Sequence, residues 1–153
     1  MSSVNDFLVT AGRDYELCIQ LEPSFPKDFA VSAASFHIQQ AIEKILKAGI
    51  MLMGEKPEHT NSIRKLSDCC TRLGIKIPEG MDDIADSLTI WETANRYDSY
   101  ITFSQNKYET SKKIYLELRN NLDICIKAIN SLCDNNQEID DQPDLDDGPQ
   151  MIM

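Results

Sequence analysis

The apolar positions between Phe36 and Ala48 set the pattern around which the chain is organised. Ile38, Ala41, Ile42, Ile45 and Ala48, continued by Leu52, recur at three- and four-residue steps, the spacing that gathers side chains on one face of an α-helix. The polar residues fall on the other side. There Glu43 precedes Lys47 by four positions, the order that favours an ion pair along a helix. The pattern predicts one long helix from about Lys27 to Met53, which must bury its stripe against other helices. Gly54 and Pro57 mark its exit.

The same spacing predicts the neighbours. Phe7, Leu8, Ala11, Tyr15, Cys18 and Ile19 place a first helix over about Val4 to Leu21, with Arg13 and Asp14 off the apolar stripe. Pro23 and Pro26 stop it, because prolines this close together cannot continue a helix. After the loop GEKPEHTN, a short third helix is expected over about Asn61 to Leu73, capped by Thr60 or Asn61 and ended by Gly74. Its buried edge is Ile63, Leu66, Cys69, Cys70 and Leu73. A fourth begins near Met81 or Asp82, where two aspartates suit a helix N-terminus. It carries Ile84, Leu88, Trp91 and Asn95 along one side. RYDSYITF is less helix-like, since Asp and Ser compete with the backbone. A fifth runs from about Gln105 to Leu132. No stretch reads as a strand. Helices joined by short loops predict an all-α fold, an up-and-down antiparallel bundle of four or five helices.

Charge changes this picture only at the C-terminal end. The formal net charge is −10, but seven acidic residues and no Lys or Arg follow from Asp134 onward, leaving 18 acidic against 15 basic before it. The segment 134–153 therefore reads as an acidic, disordered tail that gives solubility or serves interaction, and 1–133 as the helical body. No broad basic face is evident, which argues against nonspecific duplex binding. At 153 residues the chain reads as one domain. No apolar run reaches the roughly 20 residues of a membrane span, and no secretory leader is visible at the start. The expected compartment is the cytoplasm. Five cysteines without CxxC spacing read as reduced, mostly buried thiols rather than a zinc site. No glycine-rich phosphate loop is present, and neither a metal nor a cofactor is expected.

Gln39 to Ala48, QQAIEKILKA, resembles the second-helix signature of HEPN domains, small helical domains named for nucleotide binding. Three weaker features follow the family's order: Ala11 with Asp14 in the first helix, Asn61 to Leu66 opening the third, and Asn95-Arg96-Tyr97 late in the fourth. The likeness covers about residues 5–130. It implies a four- or five-helix up-and-down bundle, often homodimeric. Many members are RNA-cutting toxins, frequently paired with a nucleotidyltransferase-type protein.

Those nucleases carry an Arg followed, four to six residues later, by a His. Arg96 matches the arginine, but Ile101, Thr102 and Phe103 stand where the histidine is expected. Arg96 could hold a phosphate by two parallel hydrogen bonds, with Glu92 one turn before it as an orienting partner. An ion pair with Glu92 near the surface, or across a dimer, accounts for Arg96 equally well. Tyr97 and Tyr100 suit base stacking or packing. The candidate ligand and phosphate-binding residues are Arg96, Glu92, Asn95, Tyr97 and Lys47. Lys44 and Lys47 read as solvated charges or phosphate contacts. His37 reads as a surface or groove-facing residue, and His59 as a loop or capping residue. The leading expectation is a module that binds nucleotide or RNA, in a toxin–antitoxin or nucleotidyltransferase-associated pair, without nuclease chemistry. The alternatives are a metal-independent ribonuclease toxin whose histidine is supplied from elsewhere, for example His37 or His59 across a dimer, and a structural dimerisation module.

Overall fold

The computed structural model describes residues 3–25, 27–85 and 101–144. It is helical throughout these residues, in the order α1 (Val4–Leu21), a 3-10 turn (Glu22–Ser24), α2 (Asp28–Leu52), α3 (Ile63–Arg72), the helical stretch α4 (81–85) and α5 (Ile101–Asp144). No strand occurs among the described residues. By its internal contacts the chain forms two compact units, Met1–Asn120 and Asn121–Met153.

Cross-helix pairs fix how the first unit is wound. Asp14 of α1 reaches His37 and Lys44 of α2, while Cys18, one turn later, reaches Ala34. As α1 advances its partners on α2 step backward, so the two helices are antiparallel. From Tyr108 to Arg119 of α5 the partners run back from Glu22 through Tyr15 to Leu8, so α5 is antiparallel to α1 as well. Up-and-down winding follows, with α1 against both α2 and α5.

Ser3 caps α1 reciprocally. Its hydroxyl accepts from the Asp6 amide at 3.1 Å, and the Asp6 carboxylate accepts from the Ser3 amide at 3.1 Å. α2 and α3 end alike. Gly54 and Gly74 both adopt φ +88. The Gly54 amide donates to the Met51 carbonyl and the Gly74 amide to that of Thr71, while the next amides, of Glu55 and Ile75, reach back to Ile50 and Cys70. Glycine is needed at both points for its backbone conformation, not for space, since a Cβ there would meet nothing within 4 Å.

The stripe on α2 is buried as expected, with Ile38, Ala41, Ile42, Ile45 and Ala48 all at zero exposure, and each isoleucine contributes roughly 1.5–3 kcal/mol. Burial goes further than one stripe, because Val31, Ala34, Leu46 and Ile50 are enclosed too. α2 is thus the central helix, left open only along a narrow strip. Phe29 and Phe36 are exposed there, and His37, Gln40, Lys44, Lys47 and Met51 are half-buried.

Three expectations are corrected. α3 starts two residues later than expected, because Ser62 rather than Thr60 or Asn61 supplies the cap, accepting from the Lys65 amide at 3.3 Å. α5 extends past Leu132 to Asp144, into the stretch expected as tail. Fading apolar periodicity does not stop a helix when no glycine or proline intervenes before Pro143. Only Cys18 and Cys70 of the five cysteines are buried, although all five are free. Their thiols donate to the Ala34 and Leu46 carbonyls at 3.4 Å, and burial raises both to a pKa of about 12.

α1 and α5 are fastened by a second carboxylate cluster. Tyr108, at zero exposure, donates to Glu22 Oε2 at 2.6 Å, and Lys112 donates to the same oxygen at 2.6 Å. Burial pushes the Glu22 carboxyl up, but its two donors outweigh this and hold it below its ordinary value. Burial pushes Lys112 down, and the bond to Glu22 more than reverses it. The Tyr108 hydroxyl lies well above the usual tyrosine value through burial first and its bond to Glu22 second. The Tyr15 and Tyr115 rings stack at 5.0 Å, and Arg119 donates to the Leu8 carbonyl at 3.1 Å.

Candidate functional site

The open strip of α2 is where charged groups meet solvent. Helical geometry returns the side chain every seven residues, so His37 and Lys44 share one edge of the strip. On that edge both meet Asp14, which α1 places opposite. Asp14 Oδ1 lies 2.9 Å from His37 Nδ1, and Oδ2 accepts from Lys44 Nζ at 2.6 Å. The carboxylate is only 11% exposed, whereas the histidine and lysine side chains keep 27% and 28%. A carboxylate accepts hydrogen bonds, so the Asp14 contact places a proton on His37 Nδ1 and orients the ring. Phe36, 40% exposed, meets the imidazole edge to face at 5.3 Å.

A second polar chain follows the other edge. Gln40 donates to Gln39, Gln39 donates to Glu43 at 3.2 Å, and Lys47 donates to Glu43 at 3.0 Å. Gln39 is fully buried and Glu43 nearly so, and this bonding satisfies them. Ser35, one turn before Gln39, has a buried hydroxyl without a hydrogen-bond partner among the described residues. The signature stretch therefore builds a polar ladder as well as an apolar face.

The ladder opens at Lys47 into a cleft of about 700 Å³ lined by Phe7, Lys47, Met51 and the loop from Gly54 to His59. Phe7, Met51 and Pro57 give it an apolar wall, Lys47 and Lys56 give it cationic groups, and Glu55, Glu58 and His59 complete the lining. Lys47 has one bond to Glu43 and two further N–H donors. The two glutamates of the loop have cations on α3 beside them, Glu55 near Arg72 at 3.8 Å and Glu58 near Lys65 at 3.9 Å. Such exposed pairs contribute little stability, but they counter the acidic charge that these two residues bring to the cleft's lining.

Of the candidate residues named from the sequence, Lys47 lines this cleft. Arg96, Glu92, Asn95 and Tyr97, with Tyr100, lie outside the described residues, as do the side chains at 101–103. His59 is exposed at the mouth of the cleft, and His37 belongs to the separate Asp14 cluster. Lys44 is tied to Asp14 rather than simply solvated. Sequence reading missed Phe7, Met51 and Lys56 as lining residues and Asp14 as the shared acceptor. Its one available signal was the seven-residue step from His37 to Lys44. Among the described residues no group of His, Cys, Asp and Glu is arranged to hold a metal ion, and no helix is long and apolar enough to cross a membrane.

Comparison with known proteins adds one match. Residues 23–125, well over half of the chain, match the family model described as the HEPN domain. No curated protein and no solved structure matched.

Proposed function

The chain belongs to the HEPN domain family, and from that premise we propose that it binds a nucleotide or a single-stranded RNA segment at the end of α2. The family is known for RNA binding, RNA cleavage and toxin–antitoxin roles. The observation that carries the reading is the cleft beside Lys47. Its apolar wall suits the face of a base, and Lys47, Lys56 and His59 suit a phosphate. Cleavage is not assigned to Arg96, since Ile101, Thr102 and Phe103 stand where a partner histidine is expected.

A homodimer, and a nucleotidyltransferase-type partner within a two-component system, complete the proposal, with work in the cytoplasm. Five free cysteines fit a reducing compartment.

Titration of mononucleotides and short single-stranded RNA, at two salt concentrations, tests the binding. Expected is a Kd that weakens with salt and rises at least about tenfold in Lys47→Met with Lys56→Met. Absence of binding to every nucleotide and RNA would overturn it. Light scattering after size exclusion tests the dimer; a monomer at micromolar concentration refutes it.

A further inference from the structure

We propose that the C-terminal part of α5 is a docking surface for a basic amphipathic helix of a partner protein. An apolar stripe on α5 takes the partner's apolar face, and the acidic run that follows the stripe takes its lysines and arginines. The inference uses none of the residues of the cleft beside Lys47 and stands without nucleotide binding there.

The stripe follows from the sequence once the helix is known to continue. Leu122, Cys125, Ile126, Ile129, Leu132 and Cys133 recur at three- and four-residue steps. All six lie within α5, so they share one face. Asp123, Lys127, Asn130 and Asp134 fall on the opposite side. Burial is lost along this stripe. Leu118 and Leu122 keep the same spacing and are 2% exposed, but Ile129 is 38% and Leu132 64% exposed, and Cys133 is exposed as well. A helix solvated on all sides gains nothing from gathering its apolar residues on one face, so the open stripe signals a covering element.

Charge chooses the occupant. From Asp134 to Asp147 the chain carries seven acidic residues and no lysine or arginine, and this run begins directly after Cys133. A partner that covers the stripe and continues past it meets those negative charges, which selects a segment rich in Lys and Arg. A second copy answers the apolar stripe but not the charge. It brings the same acidic run and a net charge of −10. Two of the cations on α5 are also engaged already, Lys112 by Glu22 and Arg119 by the Leu8 carbonyl. An anionic lipid surface is disfavoured for the same reason.

The test uses the full chain and three synthetic helical peptides of equal length. The first carries leucine along one face with lysine beside it. The second keeps the leucines and has glutamate for lysine. The third keeps the lysines and has alanine for leucine. Fluorescence anisotropy reads the Kd. Expected is binding of the leucine–lysine peptide, with both other peptides at least about tenfold weaker. Ile129→Ser with Leu132→Ser should raise the Kd at least about tenfold. Ile124→Ser, at an exposed position off the stripe, should leave it unchanged. All three positions are exposed, so the variants should keep the helical circular dichroism of the parent. Equal binding of the lysine and glutamate peptides overturns the proposal. So does unchanged binding by the Ile129 and Leu132 variant. Light scattering of that variant tests a second copy as the occupant: an oligomer lost with these two residues overturns the proposal, and an unchanged oligomeric state supports it. Binding of the chain to phosphatidylserine vesicles that disappears in the same variant overturns it too.

Discussion

Asp14 and Glu22 lie two turns apart and are built alike. Each carboxylate takes a lysine at 2.6 Å, Lys44 in one case and Lys112 in the other. Each also takes a second donor, His37 at 2.9 Å and Tyr108 at 2.6 Å. The difference is what the second donor has left to offer. Tyr108 is fully enclosed and spends its hydroxyl on Glu22. His37 remains partly in solvent and has a second ring nitrogen. One carboxylate makes the Glu22 cluster a fastener between helices. The same kind of cluster, at the open strip of α2, leaves its second donor partly in solvent. Exposure of the partner, more than the identity of the carboxylate, separates the two roles.

The comparison can be broken most severely at Tyr108. Tyr108→Ala removes a buried ring and should cost roughly 3–5 kcal/mol in urea unfolding. A loss below about 1 kcal/mol would show that the α1–α5 junction does not depend on that ring.

Glu22→Gln tests the charge of the fastener and should cost about 1.5–3 kcal/mol at neutral pH. Because the carboxyl lies below its ordinary 4.5, its stabilisation is present above that value and is lost as pH falls through the lowered one. Lys112 lies above its ordinary 10.5, so its share persists through neutral pH and fades only as pH rises through the raised value. Wild-type stability should therefore decline on acidification below 4.5, and Glu22→Gln should flatten that decline. An unchanged acid limb in thermal melts would place the stabilising charge elsewhere.

The smallest effect belongs to the open cluster. His37→Gln should cost less than about 1 kcal/mol, since the ring is partly in solvent and glutamine keeps an N–H donor for Asp14. A cost matching that of Tyr108→Ala, measured by the same urea titration, would erase the distinction between enclosed fastener and open cluster.

How much of this was legible in the sequence follows from the range of each interaction. Val4–Leu21 was bounded correctly because the apolar spacing and Pro23 are local signals. The pairing of Glu43 with Lys47 was legible because one helix carries both. The α3 cap was misplaced because Thr60, Asn61 and Ser62 are consecutive polar residues, any of which has the chemistry to cap. The all-α bundle followed from periodicity, and the HEPN likeness from QQAIEKILKA, which lies inside the matched residues 23–125. The Asp14 cluster was not legible, because it joins residues 23 and 30 positions apart. Its geometry depends on the register between α1 and α2, which periodicity within one helix does not set. The cleft was hidden likewise, since it needs Phe7 from α1 beside Met51 from α2.

The two enclosed thiols carry a practical consequence. Cys18 and Cys70 are at zero exposure with pKa values near 12, while alkylating reagents attack only an accessible thiolate. In the native state both therefore wait for the bundle to open. Each marks a different helix pair, Cys18 that of α1 with α2 and Cys70 that of α3 with α2. The order in which mass spectrometry finds them modified under mild denaturant would tell which helix leaves the centre first, with no label added to the chain.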